Sequence, residues 1–487
     1  MKRKNLMAAA VMVFIAVVAV LSCNKQKQND YGDMNETAGK KAKAVSVSCP
    51  PIVLSGTIST PTTLLAGNAY LLRGNVVVNN TTLTIQPGVV IQGEKATNGA
   101  LIVLPNASIN ATGTSTNPII FTSNQNPGSR AAGDWAGVYL LGNAPNNQGN
   151  ALAIQINGAS FTAGGSSAAS SVGTFKYVQI HFAGKGGGSG SDRRSESSLV
   201  LASLGSASTL DHIQISNSGL DGIGVLGGSV NLKNILSMNT KRSDFVMSYG
   251  YIGRSQYLSG IKQNTLSPLS LANGMEIQNV LLGEPANAIP RTYPVVSNTT
   301  LMGGNYCGQG NGNIQDGVFF AANGSAKIYN SVITAFNRHG LNLSNDVIAN
   351  TTTGGFQLKF SYNSLRNLSA ATDFRTITNT DWVTNSGCGA SMVSWIAGSG
   401  LGCQQIGNQF SADISTLGYN SSFCGNFCSS SFTPNFTLGL TDLDNSDFTW
   451  DSAGLFEHPT YRGAYGATSW VSNGWVDMCP LNTNYCV

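Results

Sequence analysis

Charge is scarce in this 487-residue chain: Asp, Glu, Lys and Arg make up only 10% of it, against roughly a quarter in ordinary soluble domains. The 27 Lys and Arg and the 23 Asp and Glu nearly cancel. Without Lys2, Arg3 and Lys4 they stand at 24 against 23, a formal +1. That excludes the broad basic field by which proteins hold nucleic acid. Long apolar runs are also lacking beyond residue 21. Nothing further on is long enough to cross a bilayer as a helix, and the short alternating runs lack the length and outward apolar face of membrane-barrel strands. The third absence is helical periodicity. No long stretch repeats apolar residues every 3.6 positions, so helix is a minor element. What is present is 41% hydrophobic residues and 57 Gly, with abundant Ser, Thr and Asn. This is no disordered composition. It suits a β-rich exported protein whose outer faces are polar but uncharged.

The N-terminus has the anatomy of a secretory signal: Lys2, Arg3 and Lys4, an apolar run from Leu6 to Leu21, then small Ser22. The tetrad Val20-Leu21-Ser22-Cys23 resembles the bacterial lipoprotein box. The resemblance implies that residues 1–22 are a signal peptide and that Cys23 is lipidated, with acyl chains as the tie to the membrane. Asn24 rather than Asp follows the Cys, which in such lipoproteins favours the outer membrane. No clear acidic export tag stands in residues 25–30, so the cell surface and the periplasmic leaflet both stay open. Residues 23–48 read as a flexible tether, because their polar, mixed-charge start buries too little apolar surface to order itself.

Setting Cys23 aside leaves eight cysteines: Cys49, Cys307, Cys388, Cys403, Cys424, Cys428, Cys479 and Cys486. An even number in an oxidising compartment reads as disulfides, here stapling a loop-rich C-terminal region over residues 371–487. Connectivity stays open, although near neighbours such as Cys388 and Cys403 close the cheapest loops. Zinc is disfavoured, since Cys424 and Cys428 have no second pair at finger spacing.

Over residues 49–370 the chain is a series of three- to five-residue apolar alternations split by Gly, Asn and Pro. Two internal repeats emerge. One is a turn residue, Gly, then alternating apolar positions, at Asp221-Gly222, Asn273-Gly274, Asp316-Gly317 and His339-Gly340. The other centres on Tyr177, His212, Asn234, Asn279, Asn298 and Asn330. Their spacing fits a unit near 20 residues with insertions, the signature of a solenoid. One such unit cannot order itself alone, so units must stack into a column with capped ends. The expected caps are Cys49–Leu72 and the Cys-rich tail. The expected fold is all-β, a right-handed parallel β-helix with a Cys-rich, loop-rich C-terminal cap. A recurring Asn would build an amide ladder between rungs. A β-sandwich of similar composition should show hairpins instead of this echo.

Further segments carry a family likeness. Leu83–Gly93, Asn117–Ser123, the block Gly128-Ser-Arg-Ala-Ala-Gly-Asp-Trp-Ala-Gly137, Leu141–Asn146, Tyr461–Tyr465 and Trp470 with Gly474-Trp475 follow in this order. Together they resemble a family of Bacteroidota outer-membrane-type lipoproteins with a parallel β-helix body, often mislabelled as multidrug transporters. The resemblance implies an exported β-helix without an established activity. The central acidic, aromatic stretch of such relatives is replaced here by residues 221–228 and 241–245.

Many parallel β-helices cut or bind polysaccharide, so acid–base chemistry must be sought. Acids are thinly spread. Asp221, Asn273, Asp316 and His339 share one repeat position, which a corner role explains without chemistry. Asp211-His212 lies where other copies carry Tyr177 or Asn234. Arg130, Asp134 and Trp135 are candidates for ligand contact, with Asp134 able to accept a bidentate bond from Arg130. Structural bracing is the alternative reading. Asp442, Asp444 and Asp447 offer spaced hard oxygens of the kind Ca2+ takes, but without the Gly and distal Glu of an EF-hand. A solvated turn is the alternative there, and no other cofactor is indicated. The sequence thus leads to a lipid-anchored envelope β-helix, non-enzymatic, binding glycan or a partner protein. The competing expectation is a polysaccharide lyase or glycoside hydrolase.

Overall fold

The computed structural model describes residues 48–186, 193–263, 266, 268–281, 283–304, 311–351, 356–367, 391–398, 405–410, 427–428, 436 and 445–485. Cys23, Cys307, Cys388, Cys403, Cys424, Cys486, Asp442 and Asp444 lie outside them. The described chain is a parallel β-helix. Twenty-six strands join in one system, whose registers sort into three faces.

Face A runs through Thr62–Leu64, Thr82–Ile85, Ser108–Thr112, the first halves of Gly173–His181, Thr209–Ser216, Asn231–Met238 and Arg254–Ile261, then Val295–Ser297, Lys327–Tyr329 and Lys359–Ser361. Face B takes the second halves of those four long strands, preceded by Val90–Gly93 and Ile119–Ser123. Thr300–Met302, Val332–Thr334, Ser364–Arg366 and Gln409–Phe410 follow. Face C includes Gly137–Leu141, Ser197–Leu204, Asp221–Gly228, Phe245–Ser248, Met275–Gln278, Asp316–Ala321 and His339–Leu343. Alternate residues point inward, so Phe175, Leu210, Ile213, Ile215, Ile223 and Val225 fill one continuous apolar core. The short helix Met392–Ala397 inserts Met392, Trp395 and Ile396 into that core beside the last rungs.

From Gly173–His181 onward, the A-to-B corner turns at a single left-handed residue in each rung: Tyr177, His212, Asn234, Tyr257, Asn298, Asn330 and Tyr362, with φ between 50° and 59°. Five of these are centres of the second sequence repeat. Asn279 is not at this corner. Its side chain instead donates to Ala286 and Ala288 carbonyls in a loop leaving face C. The corner asparagines do not form the expected ladder. Asn298 donates to the Tyr461 carbonyl at 2.9 Å and Asn330 to the Asp447 carbonyl at 2.8 Å. Positive φ turns their amides out of the column, towards the C-terminal segment.

That segment, residues 445–485, lies along the solenoid's flank. Gln214 clamps Asp477 reciprocally, side-chain amide to backbone, at 2.6 and 2.9 Å. Gln256 does the same to Glu457 at 2.7 and 3.0 Å, and Asn330 to Asp447 at 2.8 and 2.9 Å. Arg462, buried, ties the carbonyls of Asn363, Gly407 and Asn445 together. Ala464, Tyr465, Val471 and Trp475 cover the outward Leu236, Met238, Ile261 and Met302 of face B. Tyr485 ends on Ala69, Val90 and Ile120. The tail therefore covers face B from its last rungs to its first. The disulfide Cys428–Cys479 secures it, with a sequence separation of 51, and Cys49 is disulfide-bonded as well. Over face C, the antiparallel hairpin Leu152–Ile156 with Ala159–Ala163 covers the outward Tyr139, Leu141, Val200 and Ala202.

His181 sits on face B beneath the tail, fully buried, with Nδ1 2.5 Å from Ser216 Oγ and Nε2 3.0 Å from Gln179 Oε1. Burial, with Arg130 nearby, pushes its pKa down to about 3. The folded imidazole stays neutral while the unfolded one takes a proton below about 6.5. Stability therefore falls as pH drops through that window, by about 2 kcal/mol between pH 7 and pH 5 from this group. Denaturant midpoints at the two pH values should differ less for His181→Gln than for the parent. Identical pH dependence in both proteins would remove His181 from this account.

Candidate functional site

Most of the described ion pairs gather in two places. The first is the corner between faces B and C. Arg242 grips Asp221 with Nε at 2.8 Å and Nη2 at 2.6 Å, and reaches Glu196 with Nη1 at 2.7 Å. Arg193 bridges Glu276 at 3.0 Å and Asp221 at 3.4 Å. Asp221 also accepts the Ser243 N–H of the next rung at 3.0 Å. Burial alone would push the Asp221 carboxyl up, but Arg242 and Arg193 hold it below its usual range. One rung on, Asp244 and Lys262 form a fully buried pair at 3.3 Å. Burial pushes the acid up and the amine down. Further along, Asp316 is gripped by Arg338, lies 3.2 Å from His339 Nδ1 and accepts from Asn342 at 2.8 Å. Arg242 stands between Asp221 and Glu196, and Arg193 between Asp221 and Glu276. A hydrolase needs that space for substrate and water. The repeat position Asp221, Asn273, Asp316 and His339 is thus a cross-rung brace.

The second place is face A, whose outward side chains are the ones left open. Lys176, Asp211, Lys233 and Gln256 occupy one register column. Lys176 pairs with Asp211 at 2.8 Å, and Lys233 pairs with Glu457 of the tail. Glu457 also accepts from Tyr257 Oη at 3.0 Å. His212 Nδ1 lies 2.6 Å from Asp211, its ring 4.4 Å from that of Tyr177. Left-handed φ is costly for bulky residues. Tyr177 and His212 recover that cost by packing on Trp475, at 6.0 and 5.6 Å.

Beside this column lies a cleft of about 300 Å³, lined by Asn231, Lys233, Arg254 and Gln256 of the face and by Leu455 and Phe456 of the tail. Asp451 pins the turn that carries its tail side. Its carboxylate accepts the backbone N–H of Leu455 at 3.1 Å and of Phe456 at 3.0 Å, and lies 3.0 Å from His458 Nε2. The pinned turn holds Leu455 half exposed above the polar floor. Polar donors on one side and an apolar, partly aromatic platform on the other is the environment that receives a sugar ring.

Proton chemistry finds little here. Burial would raise Asp211 and Glu457, but hydrogen bonds from His212 and Lys176, and from Lys233 and Tyr257, hold both below the usual range. A glycosidase acid needs the opposite shift. The carboxyls that burial does raise, Asp244 and Asp477, are enclosed, one in the corner brace and one inside the tail. Among the described residues no group of His, Cys, Asp and Glu is placed to hold a metal ion.

The residues singled out from the sequence block lie elsewhere. Arg130 does not meet Asp134. It donates to the Pro480 and Thr483 carbonyls at 2.7 and 2.8 Å and lies over the Tyr485 ring at 4.8 Å, fastening the tail. Asp134, buried, takes Ser123 Oγ at 2.7 Å and Lys95 Nζ at 2.7 Å. Trp135 is fully buried, donates to the His181 carbonyl at 2.9 Å and presses on Gly93, where any Cβ would strike its ring. It offers no face to a sugar. Asp447 Oδ1 caps its own turn by accepting from Thr449 N and Oγ1, at 2.9 and 2.6 Å.

The sequence did not single out Lys233 and Arg254, or Phe456 and Glu457 about 200 positions further on, which share no motif. A family model described as a pectate-lyase-like beta helix domain matches residues 56–400. No curated protein and no solved structure matches the chain.

Proposed function

The chain belongs to the family of pectate-lyase-like β-helix domains, and on that premise we propose that it binds polysaccharide at the bacterial envelope without cleaving it. The observation that carries this is the cleft on face A. It pairs an exposed polar strip with the Leu455–Phe456 platform, while the carboxyls of Asp211, Asp451 and Glu457 around it are held below their usual range by hydrogen-bonding partners. The tail closes face B, which leaves face A for an extended ligand. The signal sequence and Cys23, with the likeness to Bacteroidota lipoproteins, support a lipid anchor in the outer membrane.

Phe456→Ala and Lys233→Ala should each weaken binding of the recognised glycan by about tenfold, the loss of one stacked face or one charged hydrogen bond. Isothermal titration after a glycan-array screen reads this directly. New reducing ends or unsaturated products in the same incubations would overturn the non-catalytic reading. Membrane retention unchanged in Cys23→Ser would overturn the anchor.

A further inference from the structure

We propose that Asp244 and Lys262 condense into an amide, a covalent cross-link that the chain forms by itself between successive rungs. Both side chains are wholly shielded, at 0% exposure, and Lys262 Nζ lies 3.3 Å from Asp244 Oδ2. Reacting groups held about 3–3.5 Å apart in a fixed geometry behave as if highly concentrated.

This corner differs from its neighbours. Asp221 and Asp316 are each gripped at both oxygens by an arginine. A guanidinium stays protonated and offers no nucleophile, whereas a desolvated lysine becomes one. Asp244 has a lysine instead. Its Oδ1 accepts from Ser237 Oγ at 3.2 Å and from Thr240 Oγ1 at 2.7 Å. Its Oδ2 is buried and accepts no well-directed hydrogen bond among the described residues, which leaves that side of the carboxyl open to Nζ. Lys262 Nζ is aimed by the Thr240 and Arg242 carbonyls at 3.3 and 2.7 Å and by Thr240 Oγ1 at 2.8 Å. Gly260 makes the room, since a Cβ there would lie 2.8 Å from Asp244 Oδ2. Burial favours the neutral forms that condensation needs, pushing the acid up and the amine down. Asp221 and Glu276 pull the amine the other way, but Arg242 and Arg193 already engage their charges.

Thr240 Oγ1 touches both reactants and serves as the proton relay. The ammonium first gives one proton to Oδ2, leaving a neutral amine and a neutral acid. The Nζ lone pair then attacks Cγ. A second Nζ proton passes to Thr240 Oγ1 while the Thr240 hydroxyl proton passes to Oδ1. The carbon now carries two hydroxyls, and one departs with the other's proton as water. One C–N bond forms and one C–O bond breaks, with no change of oxidation state and no co-reactant. Exclusion of bulk water protects the amide from the reverse reaction. Asp244 precedes the face C strand Phe245–Ser248, and Lys262 follows Arg254–Ile261 one coil later. Ile261 pairs with Met238 of the rung before, so the amide closes that coil into a ring and fixes it to its neighbour.

The test takes the folded full chain, unfolds it, reduces its disulfides and cuts it with trypsin for mass analysis. A linked Lys262 resists cleavage, so residues 243–254 should appear joined to residues 255–291. The joined species should be one water lighter than the two peptides summed, with fragmentation placing the join at Asp244 and Lys262. Lys262→Arg keeps the cation, removes the nucleophile and should release residues 243–254 as a free peptide. Thr240→Val should lower the linked fraction of freshly made chain by about tenfold or more, with circular dichroism like the parent's confirming the fold. Free residues 243–254 from the folded parent, with Lys262 cut normally, overturn the inference, as does loss of water without a join. Full linkage in freshly made Thr240→Val overturns the relay.

Discussion

Asp221→Ala should lower the stability of the fold by about 3–5 kcal/mol, the cost of leaving buried cations without their acid. Asp221 is 1% exposed and accepts from Arg242 twice, from Arg193 and from the Ser243 backbone. Removing it leaves Arg242 only Glu196 and Arg193 only Glu276, and leaves one N–H unpaired between successive rungs. Because solenoid stability depends on nearest-neighbour interfaces, the loss should show as a lower denaturant midpoint of the whole column. A double-mutant cycle with Arg242→Leu isolates the pair, with a coupling of about 2 kcal/mol expected. A coupling near zero would mean the brace contributes nothing net. The pH sign follows from the same geometry. The folded Asp221 pKa is depressed, so its stabilisation is present above the unfolded carboxyl pKa and is lost as pH falls through the folded one.

The second large effect concerns the tail. Cys428→Ser/Cys479→Ser removes a cross-link spanning 51 positions, worth about 4 kcal/mol by the loop-entropy relation. The tail should then open before the column melts, because amide clamps, apolar contacts and a few charged contacts from Arg130, Arg462 and Lys233 are what hold it to the column. Limited proteolysis should cut within residues 445–485 at denaturant concentrations that leave the rungs intact. Hydrogen exchange at the clamped Glu457 and Asp477 amides should accelerate first. If cleavage instead begins in the rungs, the tail is not the separable layer described here.

The repeat unit was legible because the Asp221, Asn273, Asp316 and His339 corners hold one register position on face C, with inward Ile223, Met275, Val318 and Leu341 stacking behind them. The rung between Asp221 and Asn273 was not, because Asp244 stands where its neighbours carry Gly222, Gly274, Gly317 and Gly340. Asp244 turns into a space left by Ser237 and Gly260. Signs of the tail's docking surface were present: Gln179 and Gln214 each interrupt an inward aliphatic pair with an outward amide. The partner stretch, however, has no strand pattern to announce it. The cleft was least visible, since its floor and its platform meet only through a fold that brings residues 231–256 against 454–457.

The tail also sets an order of assembly. Arg130 reaches the Pro480 and Thr483 carbonyls, hydrogen bonds spanning 350 and 353 positions, and Tyr485 seals Ala69, Val90 and Ile120. The early rungs are thus completed only by residues made some 350 positions later. Until then Leu236, Met238, Ile261 and Met302 on the outer side of face B stay uncovered, so a chain cut short before the tail keeps an apolar patch that the finished chain buries.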